Sequence, residues 1–89
     1  MRLLSARLPV TLYFMNLLNE PYELLDEEGS EIPDGEIPGR ALLAARELMA
    51  RDVEDGMLNL RFRIEVADRT GRVVYTLPFA KALDVLAVE

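Results

Sequence analysis

The 89-residue chain has no cysteine, no histidine and no tryptophan. Without cysteine there is no disulfide framework, no thiolate metal site and no cysteine nucleophile. Without histidine the commonest general base and metal ligand is missing, and every triad built on imidazole goes with it. No glycine-rich phosphate loop, nucleophile–base pair or cofactor motif is present either. The expectation is a protein that is not an enzyme and uses no cofactor. No run reaches the roughly 18 apolar residues of a membrane span. Residues 1–18 have the basic and then apolar start of a secretory leader, but Asn16 interrupts the apolar run and no small-x-small cleavage site follows. A cytoplasmic protein with no membrane partner is expected.

Positive charge is missing from one long stretch. Residues 20–36 hold eight of the 16 acidic residues (Glu20, Glu23, Asp26, Glu27, Glu28, Glu31, Asp34, Glu36) and no lysine or arginine. From Ile37 onward eight acids balance eight bases, so this one stretch supplies more than the whole net charge of −6. Such a field disfavours non-specific binding to nucleic acid or to anionic lipid, and it leaves a basic partner open.

The chain divides into an N-terminal arm, residues 1–9, and a single domain, residues 10–89, in which half the residues are hydrophobic. Val10 to Leu18 is rich in β-branched and aromatic residues, and both alternating sets are apolar: Val10, Leu12 and Phe14 against Tyr13, Met15 and Leu17. A strand apolar on both faces needs cover on both. Asn19-Glu20-Pro21 is a turn, and Tyr22 to Leu25 a short returning strand. Asp26-Glu27-Glu28-Gly29 is a tight turn with Gly29 free to take a positive φ, and Ile32 points inward. Asp34 suits a helix N-cap. Pro38 is tolerated only in a first turn, so the helix begins at Asp34 irregularly or afresh near Pro38. From Arg40 to about Val53, Leu42, Ala45, Met49 and Val53 with Ala41 and Leu48 form one apolar stripe. Glu36–Arg40, Glu47–Arg51 and Arg51–Asp55 are spaced to pair, and Gly56 stops the helix.

Leu58, Leu60, Phe62, Ile64 and Val66 then alternate with Asn59, Arg61, Arg63 and Glu65, a strand period over about nine residues. Asp68-Arg69-Thr70-Gly71 is a hairpin loop, and Val73, Tyr75, Leu77 and Phe79 form the inward set of the last strand. Residues 80–88 suit either a helical turn or an added strand. The order is β-β-α-β-β, an α+β fold with one helix on a four-stranded, mainly antiparallel sheet. One helix cannot cover both faces of that sheet. The apolar set on the first strand, Tyr13, Met15 and Leu17, is therefore an interface candidate for a homodimer or another protein partner, with burial under residues 1–9 or 80–88 as the other reading.

These residues resemble a family of small bacterial domains of unknown function, common in rhizobia and related alphaproteobacteria. The resemblance rests on the aromatic first strand (Tyr13, Phe14), Asp26-Glu27-Glu28-Gly29, Ile32-Pro33-Asp34 and Ala44-Ala45-Arg46-Glu47-Leu48. It continues with Ile64-Glu65-Val66-Ala67-Asp68, Gly71-Arg72-Val73 and Leu77-Pro78-Phe79, covering residues 12–80. The chain departs from the family in carrying Asn16 where the first strand often has histidine, and in the Pro38-Gly39 interruption. The resemblance implies a fold and no activity.

Two charged groups complete the candidate sites. Asp26, Glu28, Glu31 and Asp34 are hard oxygen donors suited to a divalent cation, but they lack the alternate spacing of a calcium loop, so a solvated turn is the simpler reading. Glu27, Glu28 and Glu31 form an acidic patch. Arg61 and Arg63 form a basic sheet face, which lacks the aromatics of RNA-stacking sheets and argues against a nucleic-acid partner. The leading expectation is a non-enzymatic module acting by self-association or protein binding. An acidic, antitoxin-like decoy covering a basic site on a nuclease or nucleic-acid-binding protein is the alternative, and weak binding of a metal or small ligand at the acidic turn is the third.

Overall fold

The apolar first strand lies inside the sheet, with paired strands along both of its edges. A computed structural model describes residues 10–33 and 35–86. In it, β1 (Val10–Asn19) is the longest strand and lies between β2 (Tyr22–Leu24) and β4 (Arg63–Ala67), with β5 (Val73–Pro78) beyond β4. A further short strand, β3 (Ser30–Pro33), pairs with the first half of β1. The helix α1 (Ile37–Glu54) follows β3, and a 3-10 turn (Phe79–Lys81) follows β5. The fold is α+β with antiparallel strands throughout, in the order β-β-β-α-β-β. The expected arm, residues 1–9, lies outside the described residues.

The extra strand comes from the approach to the helix, where Ser30–Pro33 was expected only as connecting chain. β2 and β3 are two halves of one broken neighbour of β1. Leu17 faces Leu24 and Tyr13 faces Ser30, so the five residues Leu25–Gly29 pass alongside only Phe14, Met15 and Asn16. The acidic turn is thus a bulge looped out of a sheet edge, and Ile32 beyond it is 1% exposed.

Alternation places Met15 and Leu17 of β1, Ile64 and Val66 of β4, and Tyr75 and Leu77 of β5 on one face. α1 lies on that face over β4 and β5. Its buried positions are Ala41, Ala45 and Met49, and the two alanines let the helix axis come close to the strands. Phe79, Met49, Ile64 and Val66 are the largest fully buried side chains of this core, each contributing about 1.5–3 kcal/mol by leaving water. The helix starts afresh at Ile37 with Pro38 in its first turn, and Glu36 takes the N-cap position. Asp34, expected there, lies outside the described residues. Val53 is a correction to the stripe, being 57% exposed near the end of the helix. Of the three expected helix pairs, Glu36–Arg40 closes, at 3.1 Å.

The strand expected from Leu58 begins only at Arg63. Its ladder ends where Arg63 faces Leu18 on one side and Pro78 on the other. Beyond that level β1 runs into the Glu20-Pro21 turn and the chain after Pro78 coils into the 3-10 turn, so residues 58–62 have no partner strand. Phe62 nevertheless keeps its inward direction and packs on the core. The hairpin at Asp68 forms as expected, with Asp68 Oδ1 accepting from Thr70 N, Thr70 Oγ and Arg72 N. A register irregularity at Val66/Ala67 sets Val73 opposite Ala67 and removes it from the inward set, leaving it 45% exposed. Of the expected tail, residues 79–81 form a helical turn, residues 82–86 are neither helix nor strand, and residues 87–88 lie outside the described residues. Ala82 after the turn is buried, and its carbonyl accepts from Arg46 Nε at 2.8 Å.

Candidate functional site

Because α1 covers β4 and β5, the same face of β1 and β2 is left open beside it. Two adjoining clefts occupy the space and share Leu17, Leu24 and Leu48. The better enclosed one, of ≈ 340 Å³, is lined by those three with Tyr22, Asp52, Met57, Asn59, Phe62 and Phe79. An aromatic series runs inward through it. Tyr22 meets Phe62 edge-on with ring centres 5.4 Å apart, and Phe62 meets Phe79 at 5.8 Å, both separations within the attractive range for aromatic pairs. The other cleft is bounded by Met15, Leu25 and the acidic turn residues Asp26, Glu27 and Glu28. Around the rim Tyr22 is 48% exposed, Leu24 56%, Leu25 55% and Met57 62%. Among the described residues β2 is the last strand on this side and pairs only with β1.

Of the expected interface set, Met15 and Leu17 line the clefts, while they and Tyr13 also pack on the core. Met15 and Leu17 are therefore half-buried floor of the clefts, and Tyr13 is half-buried against the core. The apolar rim that is exposed, Tyr22, Leu24, Leu25 and Met57, was absent from the sequence expectation. Alternation of Tyr22 and Leu24 around Glu23 was the available signal, but a three-residue strand is too short for a period to be read. On the opposite face, the acidic loop folds back onto the sheet. A Cβ added at Gly29 would lie 2.9 Å from Phe14 Cε2 and 3.1 Å from Leu12 Cδ1, so this close approach, at φ +75°, needs glycine.

Asp26 holds that loop in place. Its Oδ2 accepts from Met15 N at 3.1 Å, and its Oδ1 accepts from Gly29 N at 3.0 Å and Glu28 N at 3.2 Å. Its own N–H donates to Asn16 Oδ1 at 2.9 Å. The Met15 amide points to the gap between β2 and β3, where no strand carbonyl is available, and the carboxylate takes the place of one. Of the proposed metal donors, Asp26 is thus committed to backbone amides, Glu28 and Glu31 are exposed on the loop and on β3, and Asp34 lies outside the described residues. Among the described residues no three acidic side chains gather as a cation site. Of the residues read as an acidic patch, Glu27, Glu28 and Glu31 are all exposed; Glu27 and Glu28 line the cleft with Met15 and Leu17, while Glu31 lies beside Thr11, Leu12 and Arg69.

The basic sheet face is corrected. Arg61 is in the turn before β4, where its N–H donates to Asn59 Oδ1. Arg63 is on the sheet but neutralised: its guanidinium bonds both oxygens of Glu20, at 2.9 and 2.6 Å, and Glu65 at 2.9 Å. Those two bonds hold the Glu20 carboxyl ionised down to about 2 and push the Arg63 pKa up. Arg63 therefore ties the β1–β2 turn to β4 and presents no free positive charge.

Residues 12–80 match the family described as a domain of unknown function, DUF6894, and the chain belongs to that family. No curated protein and no solved structure matches the chain. Among the described residues no helix is long and apolar enough to cross a membrane.

Proposed function

We propose that this domain is a non-enzymatic binding module that holds a polypeptide, from a second copy or from a different protein, in the cleft between α1 and β2. One observation carries the reading: an apolar cleft floored by Leu17, Leu48 and Phe62 lies directly beside a strand that, among the described residues, has a neighbour on one side only. Contiguous exposed apolar area marks interfaces, and a strand edge offers backbone hydrogen bonds to an added strand. The test is the molar mass of the pure chain by light scattering, together with capture of partners on the tagged chain, for wild type and Leu24→Lys. Leu24 is exposed, so the substitution leaves the core intact. A mass above the monomer or a captured partner, lost in the variant, is expected. A monomer at high concentration that captures nothing refutes the reading.

The second reading is an acidic decoy for a basic site on a nuclease or nucleic-acid-binding protein. It is supported by the exposure of Glu27, Glu28 and Glu31 in a stretch without bases. Charge reversal at these three positions would abolish partner capture under it, and unchanged capture would exclude it. A weak cation or small-ligand site at the same turn ranks below both, because Asp26 already accepts three backbone N–H groups.

A further inference from the structure

We infer that the occupant of the α1–β2 cleft is a segment of another protein in which large apolar side chains stand between lysines or arginines, laid alongside β2. The inference rests on the reading that the domain binds polypeptide at this cleft, and adds the chemistry of the partner. The described residues lining the two clefts include Asp26, Glu27, Glu28 and Asp52, and no lysine or arginine. Arg63, on the neighbouring strand β4, is held by Glu20 and Glu65. The apolar floor is thus bounded by uncompensated negative charge at the acidic loop on one side and at Asp52 on the helix. Interfaces are arranged with complementary potentials, so the matching surface is apolar in the centre and basic at its ends.

A second copy is the wrong partner on the same ground. A two-fold dimer sets one patch against itself, which would bring Glu27 and Glu28 of two chains with net charge −6 each towards one another. The geometry also sets the form of the segment. β2 is three residues long, with Tyr22 and Leu24 towards the cleft and Glu23 away from it. A short extended segment paired to this edge directs alternate side chains into the cleft. A space of ≈ 340 Å³ is at the small end of ligand pockets, about 300–1,000 Å³, and suits a few apolar side chains.

The test uses the full chain and two synthetic peptides that share a Leu-Val-Leu-Val centre, one flanked by lysine pairs and the other by glutamate pairs. Binding is read by fluorescence anisotropy at low and at moderate salt. The lysine-flanked peptide is expected to bind at least about tenfold tighter, and the preference to collapse in Glu27→Lys/Glu28→Lys. Leu24→Asp is expected to lose binding although it adds negative charge, with circular dichroism confirming its fold. Undiminished binding to Leu24→Asp would reduce the effect to charge adsorption and overturn the inference. Equal binding of both peptides would overturn the basic partner while leaving a polypeptide-binding cleft. A dimer dissociated by Leu24→Asp would assign the cleft to a second copy, and much tighter peptide binding by Arg2→Glu/Arg7→Glu would assign it to residues 1–9. Either result overturns the inference. Failure of both peptides with a chain that is monomeric and captures nothing would remove the underlying reading itself.

Discussion

Asp26→Ala tests whether the acidic turn is built for structure. The substitution deletes two acceptor oxygens and with them three hydrogen bonds, from Met15 N, Gly29 N and Glu28 N. Hydrogen bonds to a charged group contribute about 1.5–3 kcal/mol each where water is excluded. The bond to Glu28 N is exposed and at 3.2 Å the longest of the three, so its loss counts for little. The bond to Met15 N crosses to the central strand and leaves a half-buried donor without a partner when it goes, which costs about 1–3 kcal/mol. Losing the Gly29 bond loosens a loop that must sit against Phe14. Removing one negative charge from an acidic stretch returns a few tenths of a kcal/mol, on the order of 0.3. The net expectation is a loss of about 3 kcal/mol. Asp26→Asn keeps one oxygen for the turn but directs an NH2 group at Met15 N, for a loss of about 1–2 kcal/mol. Glu27→Ala, which removes the same charge from an exposed neighbour, should stay within about 0.5 kcal/mol of wild type. Urea unfolding followed by far-UV circular dichroism measures all three, and the alanine variant should also lower Tm by about 12–20 °C. Faster amide exchange at Met15 would localise the effect. If Asp26→Ala and Glu27→Ala are equally stable, the carboxylate is not standing in for a strand carbonyl and the argument fails.

The remaining predictions concern other parts of the frame. Gly29→Ala should cost about 3 kcal/mol, because a positive φ is combined with a Cβ 3.0 Å from the Tyr13 carbonyl oxygen. Gly56→Ala, with φ +83° and open space around it, should cost only about 1 kcal/mol, and equal losses would refute the close approach. Glu20 stays ionised to about 2 in the folded chain because of Arg63, whereas the unfolded carboxyl protonates near 4.3, a value of about ordinary size. The stability difference between wild type and Glu20→Gln should therefore be fully present above about pH 5, decline as pH falls and vanish near pH 2. Added salt should shrink it because the pair is exposed, and a difference that grew on acidification would reverse the assignment. Ala45→Leu should destabilise by about 1–3 kcal/mol by forcing the helix off the sheet. Val53→Ser at the helix end should change stability by less than about 0.5 kcal/mol, and calorimetry separates the two.

What could be read before folding was what depends on near neighbours. The hairpin at Asp68 and the helix stop at Gly56 are made by groups within five residues of each other along the chain. Residue identity is enough to specify them. The helix start was legible as two alternatives, since Pro38 is compatible with only a first turn. The alternation from Leu58 to Val66 also gave the right inward side chains, Phe62, Ile64 and Val66, but not the right extent of strand. A strand exists only as far as its pairing does, and the pairing of β4 with both neighbours ends at Arg63.

The candidate site was less legible, because it depends on where one helix comes to rest. Tyr13, Met15 and Leu17 were apolar and in need of cover from the sequence alone. Whether that cover was complete depended on α1 lying over β4 and β5, which leaves β1 and β2 beside an open cleft. Composition by itself determined the excess of acid in residues 20–36, the lack of imidazole and thiol chemistry, and a strand apolar on both sides. Only the tertiary structure decided that Asp26 bonds a strand amide 11 residues away, that Arg63 is neutralised from Glu20, and that the exposed apolar rim belongs to β2. Each of these is a contact between segments distant in sequence. No local pattern specifies such a contact, because its energy exists only once the sheet has brought the partners together.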